Sequence, residues 1–124
     1  MAKGKILVVD DEPDIVRAVS MRLKANDYEV ITAMDGLQAT NTAMKEVPDL
    51  IILDIGMPAG NGHVVAKRLR DSAKTCTIPI IYLTARTNQE DYQEAIGLGV
   101  AKYIKKPFDP EELLMTINEL VRES

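Results

Sequence analysis

The 124-residue chain has one cysteine, one histidine, one phenylalanine and no tryptophan. Each scarcity excludes something. Cys76 has no second cysteine to pair with, so no internal disulfide holds the fold, which suits a reducing compartment. His63 and Cys76 are the only imidazole and thiol and lie apart in sequence, so a zinc site is dismissed. Long apolar runs are missing as well. The longest nearly apolar stretch is Ile78–Leu83, against the ~20 residues that cross a bilayer. After a basic start only Ile6–Val9 are apolar before Asp10, too short for a secretory signal core of ~7–15 residues. A cytoplasmic chain with no membrane contact is expected. Positive charge is not in excess either. The 15 Lys and Arg against 19 Asp and Glu leave −4, so no general attraction draws the chain to nucleic acid, and no direct contact with it is expected.

What is present suits one folded unit. Apolar residues make up 46% and charged residues 27%, which excludes wholesale disorder. A chain this long buries roughly two-thirds of its unfolded surface, whereas two domains would each be too small to stand unaided. A single domain over 1–124 is expected, with no output domain after Ser124.

Short runs of consecutive apolar residues alternate with amphipathic stretches. Ile6–Val9, Leu50–Leu53 and Ile80–Leu83 read as strands covered on both faces; Tyr28–Ala33 and Val100–Ile104 add two weaker ones. Pro13 suits a first helical position, and Ile15, Val19 and Leu23 follow every four residues. Asp35 with Gln38, Thr87 with Glu90, and Asp109 with Glu112 have capping-box spacing or a close variant. Helices are therefore predicted at about 36–47, 88–98 and from Pro110, and another from Asn61 or Gly62 through about Asp71. Five βα units imply an α/β fold with a parallel sheet and helices on both faces. In such sheets function gathers beyond the carboxyl ends of the strands.

Those ends are rich in charge. The first strand ends in Asp10-Asp11-Glu12, the third in Asp54, the fourth in Thr84-Ala85, the fifth in Lys105-Lys106-Pro107-Phe108. If the first and third strands adjoin, three or more carboxylates crowd one pocket, and two like charges ~4 Å apart repel by ~4 kcal/mol at an effective dielectric of 20. Lys106 supplies one neutralising charge. An all-oxygen ligand set calls for a hard divalent ion, and Mg²⁺ fits best because it needs few carboxylates.

These strand-end motifs, in this order, resemble those of the receiver domain of bacterial response regulators, and the likeness covers essentially the whole chain. It implies a flavodoxin-like, doubly wound five-stranded sheet in the order 2-1-3-4-5 with five helices. It implies a phosphorelay module of two-component signalling, a phosphoprotein rather than an enzyme, with Asp54 as the phosphoryl acceptor. Asp11 and Asp54 would bind Mg²⁺ through carboxylates, Gly56 through its carbonyl and Asp10 mainly through a water. Thr84 and Lys106 would contact phosphoryl oxygens. Thr84 and Tyr103 would form the switch, acting on the fourth helix, fifth strand and fifth helix. A cis Lys106–Pro107 bond is implied, as are a histidine kinase or phosphotransfer protein as donor and a protein effector downstream. The chain would act as a monomer or a phosphorylation-dependent dimer.

The chain also departs from the family pattern. Ala59-Gly60-Asn61-Gly62 replaces a more apolar and acidic loop, and Gly60 and Gly62 are expected to loosen the cover over the site. Gly56 offers no shielding side chain, whereas Arg86 could reach across it. Val100-Ala101-Lys102 makes the fifth strand more basic. Plainer readings apply elsewhere. His63, near a helix start, is expected on the surface, and Cys76 is given no function. Lys67, Arg68, Arg70 and Lys74 read as a solvated basic face. Three rivals remain. A Mg²⁺-dependent phosphohydrolase would want a second Asp where Gly56 stands. A nucleotide or flavin binder would not place Asp10-Asp11-Glu12 after its first strand. An inert interaction domain would not need the charged constellation.

Overall fold

Consecutive β-branched and leucine residues leave neither face of a strand fit for water, so they settle in the middle of a covered parallel sheet. The computed structural model describes residues 2–57 and 62–123. Its strands are β1 (Lys5–Val9), β2 (Glu29–Ala33), β3 (Leu50–Leu53), β4 (Ile80–Thr84) and β5 (Lys102–Lys105). They alternate with α1 (Pro13–Ala25), α2 (Gly36–Glu46), α3 (Gly62–Arg70), α4 (Gln89–Gly97) and α5 (Pro110–Glu123). All pairings are parallel, as the βα pattern predicts, and the order is β2-β1-β3-β4-β5, as the family resemblance implies. Ile6–Val9, β3 and β4 are buried throughout, while the edge strands β2 and β5 are partly exposed.

Side chains of each strand alternate between two cores. Leu7, Val9, Ile51 and Leu53 pack with Ala39 and Ala43 of α2, Val65 and Leu69 of α3 and Ala95 of α4. Ile6, Val8, Leu50 and Ile52 pack on the other face with Val19 and Leu23 of α1 and Leu113 and Ile117 of α5. Each fully buried side chain of this size stabilises the fold by ~1.5–3 kcal/mol, so the strand positions are strongly specified.

Side chains set the starts of α2 and α4. Asp35 accepts from the Gln38 amide at 2.8 Å while Gln38 Oε1 accepts from the Met34 amide at 2.7 Å, so the two orphan donors are satisfied reciprocally. The cap of α4 differs from the sequence expectation. Asn88, not Thr87, accepts from the Asp91 amide, at 2.8 Å, and the helix begins one residue later. The fifth strand also starts later than predicted. Gly99, at φ 68°, turns the chain out of α4, and the Val100 amide still donates to Ala95 at 3.0 Å, so Val100 belongs to the helix cap.

Candidate functional site

Val9 of β1 lies opposite Leu53 of β3, so Asp10 and Asp54 leave the sheet side by side. Both are buried, at 2% and 5% exposure, although each carries a carboxyl group. Asp10 Oδ1 accepts from the Glu12 amide at 3.0 Å, and that turn brings Glu12 back toward the pair. Carboxylate oxygens of Asp10, Glu12 and Asp54 consequently lie within 4.8 Å of one another. Lys106, one residue past β5, donates to Asp10 at 2.9 Å, Asp54 at 3.0 Å and Glu12 at 3.1 Å. Its amide donates to Thr84 at 2.9 Å, and its bond to Pro107 is cis.

Three carboxylates thus share one ammonium. Burial holds the Asp10 carboxyl above its ordinary value, against the opposing pull of Lys106 and the Glu12 amide. Burial would lower the Lys106 ammonium, but its bonds to Asp10 and Asp54 outweigh that and leave it raised. The cluster remains short of positive charge. Oxygen ligands of mixed burial with unspent negative charge fit a hard divalent cation, and Mg²⁺ meets that description.

Other predicted residues sit around this pocket. The Gly56 amide donates to Asp54 Oδ1 at 2.8 Å, so one oxygen of Asp54 is held by backbone and the other by Lys106. Thr84 is fully buried at the end of β4, where its Oγ1 accepts from the Arg86 amide at 3.2 Å. Asp11 is exposed and is not among the three gathered carboxylates. Glu12 takes part instead. The sequence marked it only as part of an acidic run, though the Asp-x-Glu spacing with a following Pro13 could have indicated the turn.

Gly62 does not loosen the cover as the sequence suggested. A side chain there would come within 2.6 Å of Ile55 Cα and 2.8 Å of the Asp54 carbonyl, so the bare glycine lets α3 press on the backbone beside Asp54. Gly60, with the rest of 58–61, lies outside the described residues.

His63 is a plain correction. It is 8% exposed, with Nδ1 3.0 Å from the Tyr82 hydroxyl and Nε2 donating to Asp91 Oδ1 at 2.8 Å. Arg86 forks onto the same carboxylate, Nε to Oδ2 at 2.9 Å and Nη2 to Oδ1 at 3.1 Å. Its Cδ lies 3.7 Å from where a Gly56 side chain would begin, so it does reach across that glycine. Burial would raise the Asp91 carboxyl, but the His63 bond and the Arg86 charge bring it below its ordinary value. The Tyr103 hydroxyl donates to the Arg86 carbonyl, and its ring stands edge-on to Tyr82 at 5.8 Å. No sequence spacing signals this set, because its members come from four different segments.

The basic face is also smaller than expected. Arg70 turns inward and donates to the carbonyls of Ile78 at 2.8 Å and Leu98 at 2.9 Å, tying α3 to the ends of two loops. Lys67 pairs with Asp71 at 2.8 Å.

Residues 6–118 match the response regulator receiver domain family. The chain belongs to that family. Receiver domains are the phosphoacceptor domains of two-component systems. The chain is 38% identical over 120 residues to the DNA-binding dual master transcriptional regulator RpaA of Synechocystis, an alignment covering 97% of this chain and 50% of the relative. The chain spans about half the length of the curated relatives it matches, several of them transcriptional regulators. The expectation of no nucleic-acid contact finds no support in such relatives. The chemotaxis protein CheY4 of Vibrio cholerae is similar in structure, with a TM-score of 0.88, 39% identity and 97% and 98% of the two chains covered. The receiver domain of the sensor histidine kinase PA1611 of Pseudomonas aeruginosa, with a magnesium ion coordinated in its active site cleft, superposes with a TM-score of 0.88 at 28% identity, covering 96% and 98%. Among the described residues no helix is long and apolar enough to cross a membrane.

Proposed function

We propose that this receiver domain takes a phosphoryl group onto Asp54 from a histidine kinase, a phosphotransfer protein or a small phosphodonor. The observation that carries the reading is Asp54 itself. It is a buried carboxylate with one oxygen on the Gly56 amide and the other on Lys106, inside a cluster of three carboxylates and one ammonium. Phosphoryl transfer asks chiefly for positioning and charge neutralisation. A carboxylate attacks without a general base: an Asp54 oxygen bonds phosphorus while the donor's bond to phosphorus breaks and the donor keeps that electron pair.

Asp11 and Asp54 through carboxylates, Gly56 through its carbonyl and Asp10 mainly through a water would hold Mg²⁺, with Glu12 as the carboxylate the structure adds. Bound there, Mg²⁺ supplies the positive charge the pocket lacks. Lys106 neutralises a second phosphoryl oxygen, and the Thr84 hydroxyl donates to a third. The domain is a signalling phosphoacceptor, acting only on its own phosphoryl gain and loss. Its effect on partners passes through Thr84 and Tyr103, both hydrogen-bonded to the backbone of Arg86, to the α4–β5–α5 face. Moving such a switch from 1:99 to 99:1 takes ~5.5 kcal/mol of differential stabilisation. A protein effector reads that face.

Intact mass after incubation with acetyl phosphate and Mg²⁺, on this chain and on Asp54→Asn, tests the reading. Gain of one phosphoryl group that needs both Mg²⁺ and Asp54 is the expected result. No adduct and no phosphate release would leave an inert interaction domain. Sustained release from many phosphate esters would make the chain a phosphohydrolase.

A further inference from the structure

Between α3, β4 and α4 lies a second buried polar set, and phosphoryl chemistry uses none of its side chains. Arg86 is its outer member, with a side chain 44% exposed, and a guanidinium that open to water would sample many rotamers unless something held it. Asp91 holds it. Both carboxylate oxygens face the fork, and the carboxylate is 6% exposed. Asp91 is in turn placed from two sides. Asn88 secures its amide at the start of α4, and His63 Nε2 donates to Oδ1. His63 is placed by the close approach of Gly62 to the backbone of Asp54 and Ile55 and by the Tyr82 hydroxyl in the middle of the sheet. That hydroxyl can donate to Nδ1 or accept from it, so the link serves either protonation state of the imidazole.

The geometry points to His63 and Asp91 as positioning residues. They hold the Arg86 guanidinium across Gly56 at the lip of the acidic pocket, and hold the Arg86 backbone between Thr84 and Tyr103. The consequence for phosphoryl lifetime rests on the receiver reading; the clamp on Arg86 does not. With Gly56 offering no side chain, Arg86 is, among the described residues, the group that crosses the gap, its Nη1 3.5 Å from the Ile55 carbonyl and its Cδ beside Gly56. Releasing it opens the pocket to water and frees the residue to which both switch side chains bond.

His63→Leu removes both imidazole bonds, and His63→Gln keeps a donor for Asp91 and an acceptor for Tyr82. Two readouts follow. In the unphosphorylated chain, hydrogen exchange at the Arg86 Nε–H, followed by ¹⁵N NMR, becomes about fivefold faster in His63→Leu and stays near the parent rate in His63→Gln. After acetyl phosphate is removed, the Leu variant loses its phosphoryl group about fivefold faster, with the Mg²⁺ dependence of labelling unchanged and the Gln variant restored. Asp91→Asn, which keeps the backbone cap and side-chain size, shifts both readouts the same way and serves should the Leu variant not fold. A Leu variant that is less stable to urea yet keeps both rates makes the pair merely structural and overturns the inference. So does a Gln variant as fast as Leu. If the parent chain takes no phosphoryl group, the receiver reading fails on its own, and Arg86 exchange alone then decides the clamp.

Discussion

Two buried charge clusters stand at the same edge of the sheet and solve opposite problems. Around Lys106, three carboxylates share one cation, and burial leaves Asp10 harder to ionise than usual. Around Asp91, one carboxylate is shared by a guanidinium and an imidazole, and it is easier to ionise than usual. The first is short of positive charge and so is unfinished without a cation and an anionic ligand. The second is complete within the chain. A fold tolerates the first only because the sheet and helices around it supply stability that the cluster does not, and the second is part of that supply.

Lys106→Met should separate them most sharply. Losing the ammonium that holds Asp54 should slow phosphoryl uptake from acetyl phosphate by about 10²–10³-fold, measured by the rate of mass gain. Arg86 Nε–H exchange should be untouched, and a change there would join the clusters into one unit. Asp91→Ala comes next. It leaves Arg86 and His63 without their carboxylate and should lower unfolding stability by about 2–3 kcal/mol in urea titrations. Asp54→Asn should act in the other direction on stability. Removing one of three crowded charges should stabilise the chain by about 1 kcal/mol without Mg²⁺. A destabilised Asn variant would mean Lys106 already balances the pocket.

The smallest expected effect is a pair of opposite slopes. Asp10 is raised, so between its folded value and the ordinary 3.8 the folded chain binds more protons, and stability rises as pH falls through that window. Asp91 is lowered, so its contribution is full above the ordinary 3.8 and is lost as pH falls through its folded value. Urea midpoints against pH for the parent chain, Asp10→Asn and Asp91→Asn, without Mg²⁺, should yield difference curves of opposite sign. Curves of the same sign would end the contrast.

Much of this was legible in advance. Ile6–Val9, Leu50–Leu53 and Ile80–Leu83 could only be covered strands, and strands joined by helices run parallel, so their carboxyl ends share one edge. Thr84 ends its strand and Asp10, Asp54 and Lys106 each follow one directly, so their convergence needed only the strand order, which the family resemblance implied. Val100 was misplaced because a helix cap competed with the strand for its amide. Glu12, rather than Asp11, joins the carboxylates because a single turn hydrogen bond from its amide to Asp10 swings it inward.

By itself, then, the amino-acid sequence determined the elements, the parallel sheet and the acidic strand ends, because periodicity and strand polarity are local properties of the chain. Only the tertiary structure decided that His63 is buried against Tyr82 and Asp91, residues 19 and 28 positions away, and that Arg86 is clamped while Arg70 turns inward. The physical reason is range. A hydrophobic pattern is written in neighbouring residues, whereas a buried hydrogen bond depends on two distant side chains arriving within about 3 Å and at the right angle.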